Sequence, residues 1–470
     1  MFTLNEKQSN ILLDKLCLLK GYFVRAQRLL FTITDSDKKW FFIIIFLAGI
    51  LRLPFVGHIP LTEFDEVYMV SFVLHIIHGQ PFFDIHPPLV RMIFATIAGW
   101  TPFHFWSMDI IPQQAFGDFP YTMLRYVSAV AGTLLPLVIY AIGRLLNYTP
   151  RMAGLAALFI VFDNALVIYS RVFLPDTLLL FFEFLSLMFA LASLRTKNKK
   201  LSVFFTISAG IFAGCALSTK WLALGVVGIV CFFYLLHRRY ISFFVMPIIA
   251  LLVYVGVFYF FFSFFYAHNA PIDKTLFTPI PALSELTFPK DGSLSEFTSS
   301  FFVMHHVMLV ANNDPYVLKT ILHAPQPYSW AIARSGINFW TGSNSKTVLL
   351  QGNSLLYVVS LFLFLFEIGW ITHGLFTTHK LPIDRNELLL VIGYVANYLP
   401  FFFIHRAMYL YHYFAALLFL FLLVPKVAPR AIDCLAKLSQ DRLFAYTFAW
   451  ATLLLIIINF FLIAPTTYGF

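Results

Sequence analysis

The sequence is short of charge. Only 12% of its 470 residues are Asp, Glu, Lys or Arg, about half the share of a soluble domain. That excludes an ordinary cytosolic enzyme and a nucleic-acid reading of the net charge of +9. Cysteine is scarce: Cys17, Cys215, Cys231 and Cys434 all fall outside the segments assigned to the exterior below, so no disulfide framework is implied. A cleavable leader is missing. Ile11 to Phe31 is apolar but broken by Lys15, Lys20, Arg25 and Arg28, and no small-residue cleavage site follows. Residues 1–39 read instead as an amphipathic segment lying on the cytoplasmic surface or, equally, as a frayed tail. The chain has no internal repeat of the transporter kind and no alternating pattern long enough for a separate β domain.

What is there is apolar. Hydrophobic residues make up 60% of the chain, with 57 Phe and a mean hydropathy of +0.80, so its natural solvent is a bilayer. At about 20 apolar residues per crossing, spans fall near Trp40–Val56, Tyr121–Leu146, Met152–Ser170, Pro175–Leu194, Leu201–Ser218, Trp221–Leu236 and Ile241–Tyr266. Four more follow near Leu350–Thr372, Glu387–Ile404, Tyr409–Val424 and Leu443–Ala464. The reading is an all-α polytopic membrane protein with about eleven helices.

Charge sets the orientation. With the N-terminus inside, the inner loops hold Lys38-Lys39, Arg144 with Arg151, Arg195 to Lys200, His237-Arg238-Arg239, Lys380 with Arg385, and Lys426 to Arg442. All are basic, as the positive-inside rule requires, and an even number of spans would break the alternation. The Asn147-Tyr148-Thr149 sequon then lies inside and goes unused. Two long segments face outside, 57–120 and 267–349. The first carries amphipathic helices. The second, punctuated by Pro271, Pro279, Pro281, Pro325 and Pro327, reads as loop with short helices.

The chemistry concentrates between Phe64 and Trp100. Asp65 and Glu66 open a helix-like segment that Gly79 and Pro81 close; Asp84 precedes His86-Pro87-Pro88. Adjacent helical residues point about 100° apart, so Asp65 and Glu66 cannot serve one atom in the same way. Asp65 sits in the first turn, where the helix dipole favours its ionised form and suits a proton acceptor. The plainer role for Asp65 is an N-cap, and for Asp84 a cap on the helix opened by the prolines. His75 and His78 lie one turn apart and are compatible with a divalent metal, which nothing else in the sequence supports. Arg52, Arg125, Arg171, Lys220 and Arg406 stand at the outer ends of spans, where topology gives a basic residue no reason to be. Together they suggest a phosphate site, although each alone would serve as a lipid anchor. Tyr411-His412-Tyr413 could hold headgroup or sugar hydroxyls. Asp163 and Glu183 lie within spans and need only a hydrogen bond.

Phe64-Asp65-Glu66 followed by Phe83-Asp84-Ile85-His86-Pro87-Pro88-Leu89 resembles the protein O-mannosyltransferase family of GT-C membrane glycosyltransferases. More of that pattern follows in order: Arg125 at the next span; Phe162-Asp163-Asn164-Ala165 with Ser170-Arg171 and Leu174-Pro175-Asp176; Leu217-Ser218-Thr219-Lys220-Trp221; and Arg406 with Leu410-Tyr411-His412-Tyr413. The chain departs from the family in three places. Segment 267–349 has no room for the β-trefoil MIR domain of eukaryotic members, as in a bacterial or minimal member. Val90-Arg91 stands where the family has glycine-lysine. Arg334, matched to a loop arginine, lacks the proline of that motif.

The resemblance implies a GT-C fold with its catalytic loop at 57–120. It implies transfer of mannose from dolichyl or polyprenyl phosphate mannose to Ser or Thr of a translocated protein, with inversion. On that reading Asp65 is the base, with Glu66 and Asp84 orienting acceptor or loop. Arg125 first, Arg406 second, then Arg171 and Lys220 meet the donor phosphate, and His86, Arg334, Tyr411 and His412 line the substrate. No cofactor is required, because the donor carries one phosphate. The partners are donor, acceptor protein and membrane lipids, not nucleic acid; a dimer and translocon association are both compatible. The membrane is the bacterial plasma membrane with the site outside, or the ER membrane with the site in the lumen. The alternatives are a related GT-C enzyme moving another lipid-linked sugar, such as aminoarabinose onto lipid A, and a transporter.

Overall fold

The structure is a computed structural model that describes residues 34–104, 111–266, 272–273, 280–313, 325–334, 336–404 and 407–470. Most of the expected N-terminal amphipathic segment, Cys17 and Arg406 lie outside the described residues. The helices are α1 (Asp35–Arg52), α2 (Glu66–Ile77), α3 (Leu89–Ala98), α4 (Tyr121–Leu145), α5 (Pro150–Val161), α6 (Asn164–Arg171), α7 (Pro175–Arg195) and α8 (Lys199–Leu217). They continue with α9 (Leu224–Leu236), α10 (Tyr240–Ser263), α11 (Leu294–Asn313), α12 (Ser354–Thr378), α13 (Arg385–Tyr398), α14 (Phe414–Ser439) and α15 (Arg442–Tyr468). Strands β1 (Ile337–Thr341) and β2 (Thr347–Leu350) pair antiparallel between α11 and α12.

Seven helices are long and apolar enough to cross a membrane, or eight when α5 and α6 are taken as one bent span. Each of the eleven hydropathic stretches contains a helix. The chain reaches eleven crossings only if α1, α9 and α13, which fall short of that measure, are counted too. Its lipid-facing surface is explicit: Leu252 and Phe260 on α10, Phe362 on α12, and Trp450 and Leu462 on α15 are exposed. The interior is built around α14, where Phe414 to Val424 is buried without a break.

Polar groups inside this bundle fix its bends. α1 starts at a reciprocal cap between Thr34 and Asp37. Asp37 then accepts from Tyr140 at 2.6 Å and from Arg144 Nε at 2.7 Å, pinning α1 to α4. α5 and α6, read from hydropathy as one span, meet at 62°. Asp163 is the reason: one oxygen caps α6 through Leu166 N (2.9 Å), and the other accepts from Asn353 N (3.1 Å). Asn353 in turn donates to the Phe162 and Ile456 carbonyls. Glu183 departs from expectation. Both its carboxyl oxygens are buried in α7 with no hydrogen-bond partner among the described residues.

Small residues bring helices close. A Cβ on Gly210 or Gly214 of α8 would lie 2.7 Å from the Met246 or Ala250 carbonyl of α10, so this four-residue glycine spacing is what permits the contact. α14 runs well past the expected end at Val424. Arg430 on its extension pairs with Glu367 of α12 and Glu387 of α13, so a stretch read as a basic loop is part of the helical core.

Two features of the connecting segments also differ from expectation. α2 is not amphipathic: Tyr68 is its one exposed large apolar or aromatic side chain, because other elements cover it on nearly every face. Segment 267–349 carries one long helix, α11, in addition to short helical turns at Pro281–Glu285 and Pro327–Trp330. Its Phe297 and Phe301 lie 5.4 and 5.3 Å from Tyr259 and Phe258 of α10, an aromatic wall that supports 20 residues of helix.

Candidate active site

The site begins at a strained turn. Phe64 has φ 49°, a left-handed conformation that costs a bulky residue about 1–3 kcal/mol. It is held there by two bonds to the hairpin: Phe64 N donates to the Phe339 carbonyl at 3.1 Å, and the two rings stack at 4.6 Å. Tyr409 packs edge-on against the same ring. The turn delivers Asp65 to the N-cap position of α2, but its carboxylate makes no capping bond. The capping role is therefore not what occupies Asp65.

Glu66, one residue on, is fully engaged. It is completely buried and accepts Arg125 Nε on Oε1 (2.9 Å) and Arg125 Nη2 on Oε2 (2.6 Å). Phe173 N and Glu63 N complete its shell at 3.1 and 2.9 Å. Arg125 spends its remaining donors on the carbonyls of Val56, Ile59 and Leu61, and Glu63 lies 2.9 Å from Nη2. This corrects the expectation for Arg125, while Glu66 takes the loop-orienting role, one of the two expected of it. The Arg125 fork is filled by the protein's own oxygens and has no N–H left for a phosphate, and Glu66 has no lone pair directed at a substrate. Burial pushes the Glu63 carboxyl up to about 7, against the pull of Arg125 and with the help of Glu66.

Asp65 faces a different set. Burial pushes it up to about 7; Lys220 and Arg91 pull it down, and Asp176 pushes it further up. Desolvation thus outweighs the helix dipole, which was expected to favour the charged form. Lys220 arrives from the turn between α8 and α9, with Nζ 2.8 and 3.0 Å from the two oxygens of Asp176 and 4.9 Å from the centre of the Tyr411 ring. Asp84 does not cap α3. One oxygen accepts His86 N at 3.1 Å, and the other lies 2.7 Å from Arg91 Nε, an ion pair with the N–H turned off the line to the oxygen. Burial raises the Asp84 carboxyl, with Arg91 opposing. Asp84, His86 and Arg91 line one side of a narrow cleft, and Met304 and Met308 of α11 line the other.

The other expected site residues divide. His412 is buried, stacked on Tyr411 at 4.4 Å, with Nδ1 3.1 Å from the Tyr409 carbonyl oxygen, so the Tyr-His pair stands beside Lys220. Arg171 does not join them. Its guanidinium donates to the Arg52, Pro54 and Phe55 carbonyls and lies over the Tyr468 ring, which takes it out of the expected phosphate set. Arg334 is exposed, and among the described residues no contact links it to Asp65. His75 does not face a metal position. Nδ1 bonds the Ser71 carbonyl at 2.8 Å and Nε2 bonds Asp273 at 3.0 Å.

Sequence reasoning gave no role to Asp176, Arg91 or Tyr409. Asp176 and Arg91 stood in quoted motifs, and an acid at the second residue of a span, with an orphan lysine at another span's outer end, was the available signal. Glu63 carried none.

The sequence pattern described as dolichyl-phosphate-mannose-protein mannosyltransferase matches residues 40–273. That described as the C-terminal four-transmembrane region of protein O-mannosyltransferase matches residues 297–470. The chain is 27% identical over 204 residues to dolichyl-phosphate-mannose–protein mannosyltransferase 1 of Saccharomyces cerevisiae, covering 42% of this chain and 25% of that protein. It is 29% identical over 207 residues to the Candida albicans protein of the same name, covering 41% and 22%. It thus spans about a quarter of the length of the curated relatives it matches.

Among solved structures, the S. cerevisiae protein O-mannosyltransferase Pmt1–Pmt2 complex bound to the sugar donor superposes with TM-score 0.73 at 18% identity, over 95% of this chain and 92% of that one. The Archaeoglobus fulgidus oligosaccharyltransferase follows with TM-score 0.54 at 15% identity, over 92% and 56%. ArnT from Cupriavidus metallidurans, bound to undecaprenyl phosphate, gives 0.50 at 13% over 92% and 75%. These likenesses establish the GT-C fold. With its two sequence patterns in register along one GT-C bundle, the chain belongs to the dolichyl-phosphate-mannose–protein mannosyltransferase family.

Proposed function

We propose that the protein is a glycosyltransferase that moves mannose from dolichyl or polyprenyl phosphate mannose to a Ser or Thr hydroxyl of a translocated protein. The observation that carries the reading is Asp65: a half-buried carboxylate, free of capping bonds, within the field of the Lys220 ammonium. A hydroxyl is a poor nucleophile unless its proton is taken as it attacks. In the proposed step the acceptor oxygen bonds to the anomeric carbon and the bond from that carbon to the phosphate oxygen breaks. The hydroxyl proton passes to Asp65, and the phosphate leaves with the electron pair. A single displacement inverts the sugar.

Charge growing on the leaving phosphate needs cations. Lys220, whose charge acts on Asp65, is the first of them; Arg406 is the second on sequence grounds. Asp84, His86, Tyr411 and His412 surround the place where acceptor and sugar meet. The face carrying segment 57–120 is the outer face of the bacterial plasma membrane or the lumenal face of the ER, because the basic loops lie at the other end. The pairing of Pmt1 with Pmt2 in the S. cerevisiae complex supports a dimer. A donor with one phosphate needs no divalent ion to bridge a second. Turnover is therefore expected to persist in EDTA.

The test is transfer by the purified full chain from polyprenyl phosphates bearing mannose, glucose or aminoarabinose, offered a Ser/Thr peptide or lipid A. Mannosyl-peptide is the expected product. Transfer of aminoarabinose to lipid A would replace this reading with the related GT-C activity.

A further inference from the structure

Lys220 is held from two sides. Asp176 grips its ammonium with both carboxyl oxygens at 2.8 and 3.0 Å, and the Tyr411 ring lies 4.9 Å away. Lysine and acid are 8% and 4% exposed, so water screens neither. The three residues come from separate elements: the turn after α8, the first turn of α7 and the turn before α14. Asp176 is fixed in its own right. Pro175 sets the backbone at the start of α7, the helix start favours a negative charge, and Thr177 ties this turn to the Tyr169 carbonyl at 2.9 Å.

Ammonium has three N–H donors, and the Asp176 oxygens account for two short contacts. A phosphate oxygen can take a remaining donor without breaking the pair. Without Asp176, the same flexible ammonium would turn to Asp65 and neutralise it.

We propose that Asp176 is a positioning residue for the transfer: it seats the Lys220 ammonium on Tyr411, beside Asp65 but not bound to it, and offsets its charge until a phosphate arrives. This rests on the reading of Asp65 as base. The groups facing Asp65 are Tyr68 on its own helix, Arg91 of α3, Tyr169 of α6, Asp176 of α7, Lys220, and Tyr409 before α14. Of these, Asp176 and Lys220 act in opposite directions, so removing either must move Asp65.

The experiment is the pH profile of kcat/KM for the full chain in lipid nanodiscs, with polyprenyl phosphate mannose and a Ser/Thr peptide. Asp176→Asn is expected to shift the acid limb to lower pH by about one unit and to cut kcat about tenfold or more. Asp176→Glu should restore the wild-type limb. Lys220→Met should shift the limb the other way, to higher pH, and serves if Asp176→Asn does not fold. An Asp176→Asn enzyme that is merely slower, with its limb unmoved, overturns the inference, as does an unmoved limb in Lys220→Met. Asp65→Asn separates the two ideas. If that variant is dead while the limbs stay put, only the role of Asp176 falls; if it turns over normally, the base assignment falls first.

Discussion

Asp65 and Glu66 are neighbours in sequence and carry the same functional group, yet the fold treats them oppositely. Every lone pair of Glu66 that the structure orients is taken, by Arg125 and by two backbone amides. Asp65 is half-buried, makes no capping bond and keeps a proton affinity near neutrality, pushed up to about 7 chiefly by desolvation. A saturated carboxylate adds rigidity and an unsaturated one adds reactivity. The first holds segment 57–66 against α4, and that rigid knot is what keeps the second in place.

The sharpest way to break the contrast is at Asp65 itself. Asp65→Asn keeps shape and removes the proton acceptor, so turnover should fall about 10²–10⁴-fold. The melting midpoint in detergent should hold, because no capping bond is lost. The wild-type acid limb should lie near pH 7, with activity rising as Asp65 loses its proton. Normal turnover by a folded Asp65→Asn variant would end the assignment.

Arg125 should show the reverse pattern. Arg125→Ala leaves Glu66 and Glu63 buried together without their cation, a loss of about 3–5 kcal/mol. Arg125→Lys should also melt early, since an ammonium cannot reach the five acceptor atoms that the guanidinium serves. Turnover per folded molecule should change far less than in Asp65→Asn. A lysine variant of normal stability but poor use of the lipid donor would return Arg125 to the phosphate.

The contrast also shows what a sequence can and cannot convey. Hydropathy located a helix in every expected span, because lipid contact needs long apolar runs whatever they pack against. The loop that bears Asp65 was legible for the converse reason, since acids crowd where the chain is otherwise apolar. What Arg125 would touch was not legible. Its partners include three carbonyls in the turn after α1, more than 60 positions away, and a carbonyl leaves no mark on composition. Arg171 was misread in the same way, through the carbonyls of Arg52, Pro54 and Phe55. The bend at Asp163 depended on Asn353, 190 residues on. Lys220 was legible because it stood at the outer end of a span and in a recognisable motif, whereas its pairing with Asp176 was not.

The smallest expected effect lies within the knot. Glu66→Gln keeps one carbonyl oxygen for Phe173 N and Arg125 Nε but turns an amide N–H₂ toward Glu63 N and Arg125 Nη2. Facing donors cost about 1–3 kcal/mol. The loss should nevertheless stay below that of Arg125→Ala, because Glu63 remains 2.9 Å from the guanidinium and can take over as its counter-ion. Glu63 is raised to about 7 by burial and partly by the charge of Glu66. Its folded pKa thus lies above its unfolded one, and its contribution to stability is present at low pH and lost as pH rises through about 7. Removing the Glu66 charge lowers the folded value toward the unfolded one. Wild type should therefore lose melting temperature between about pH 4.5 and pH 7, and Glu66→Gln should lose less over the same window, by about half. Parallel pH–melting curves for the two proteins would show that Glu63 does not share the Arg125 charge, and the knot would reduce to a simple Glu66–Arg125 pair.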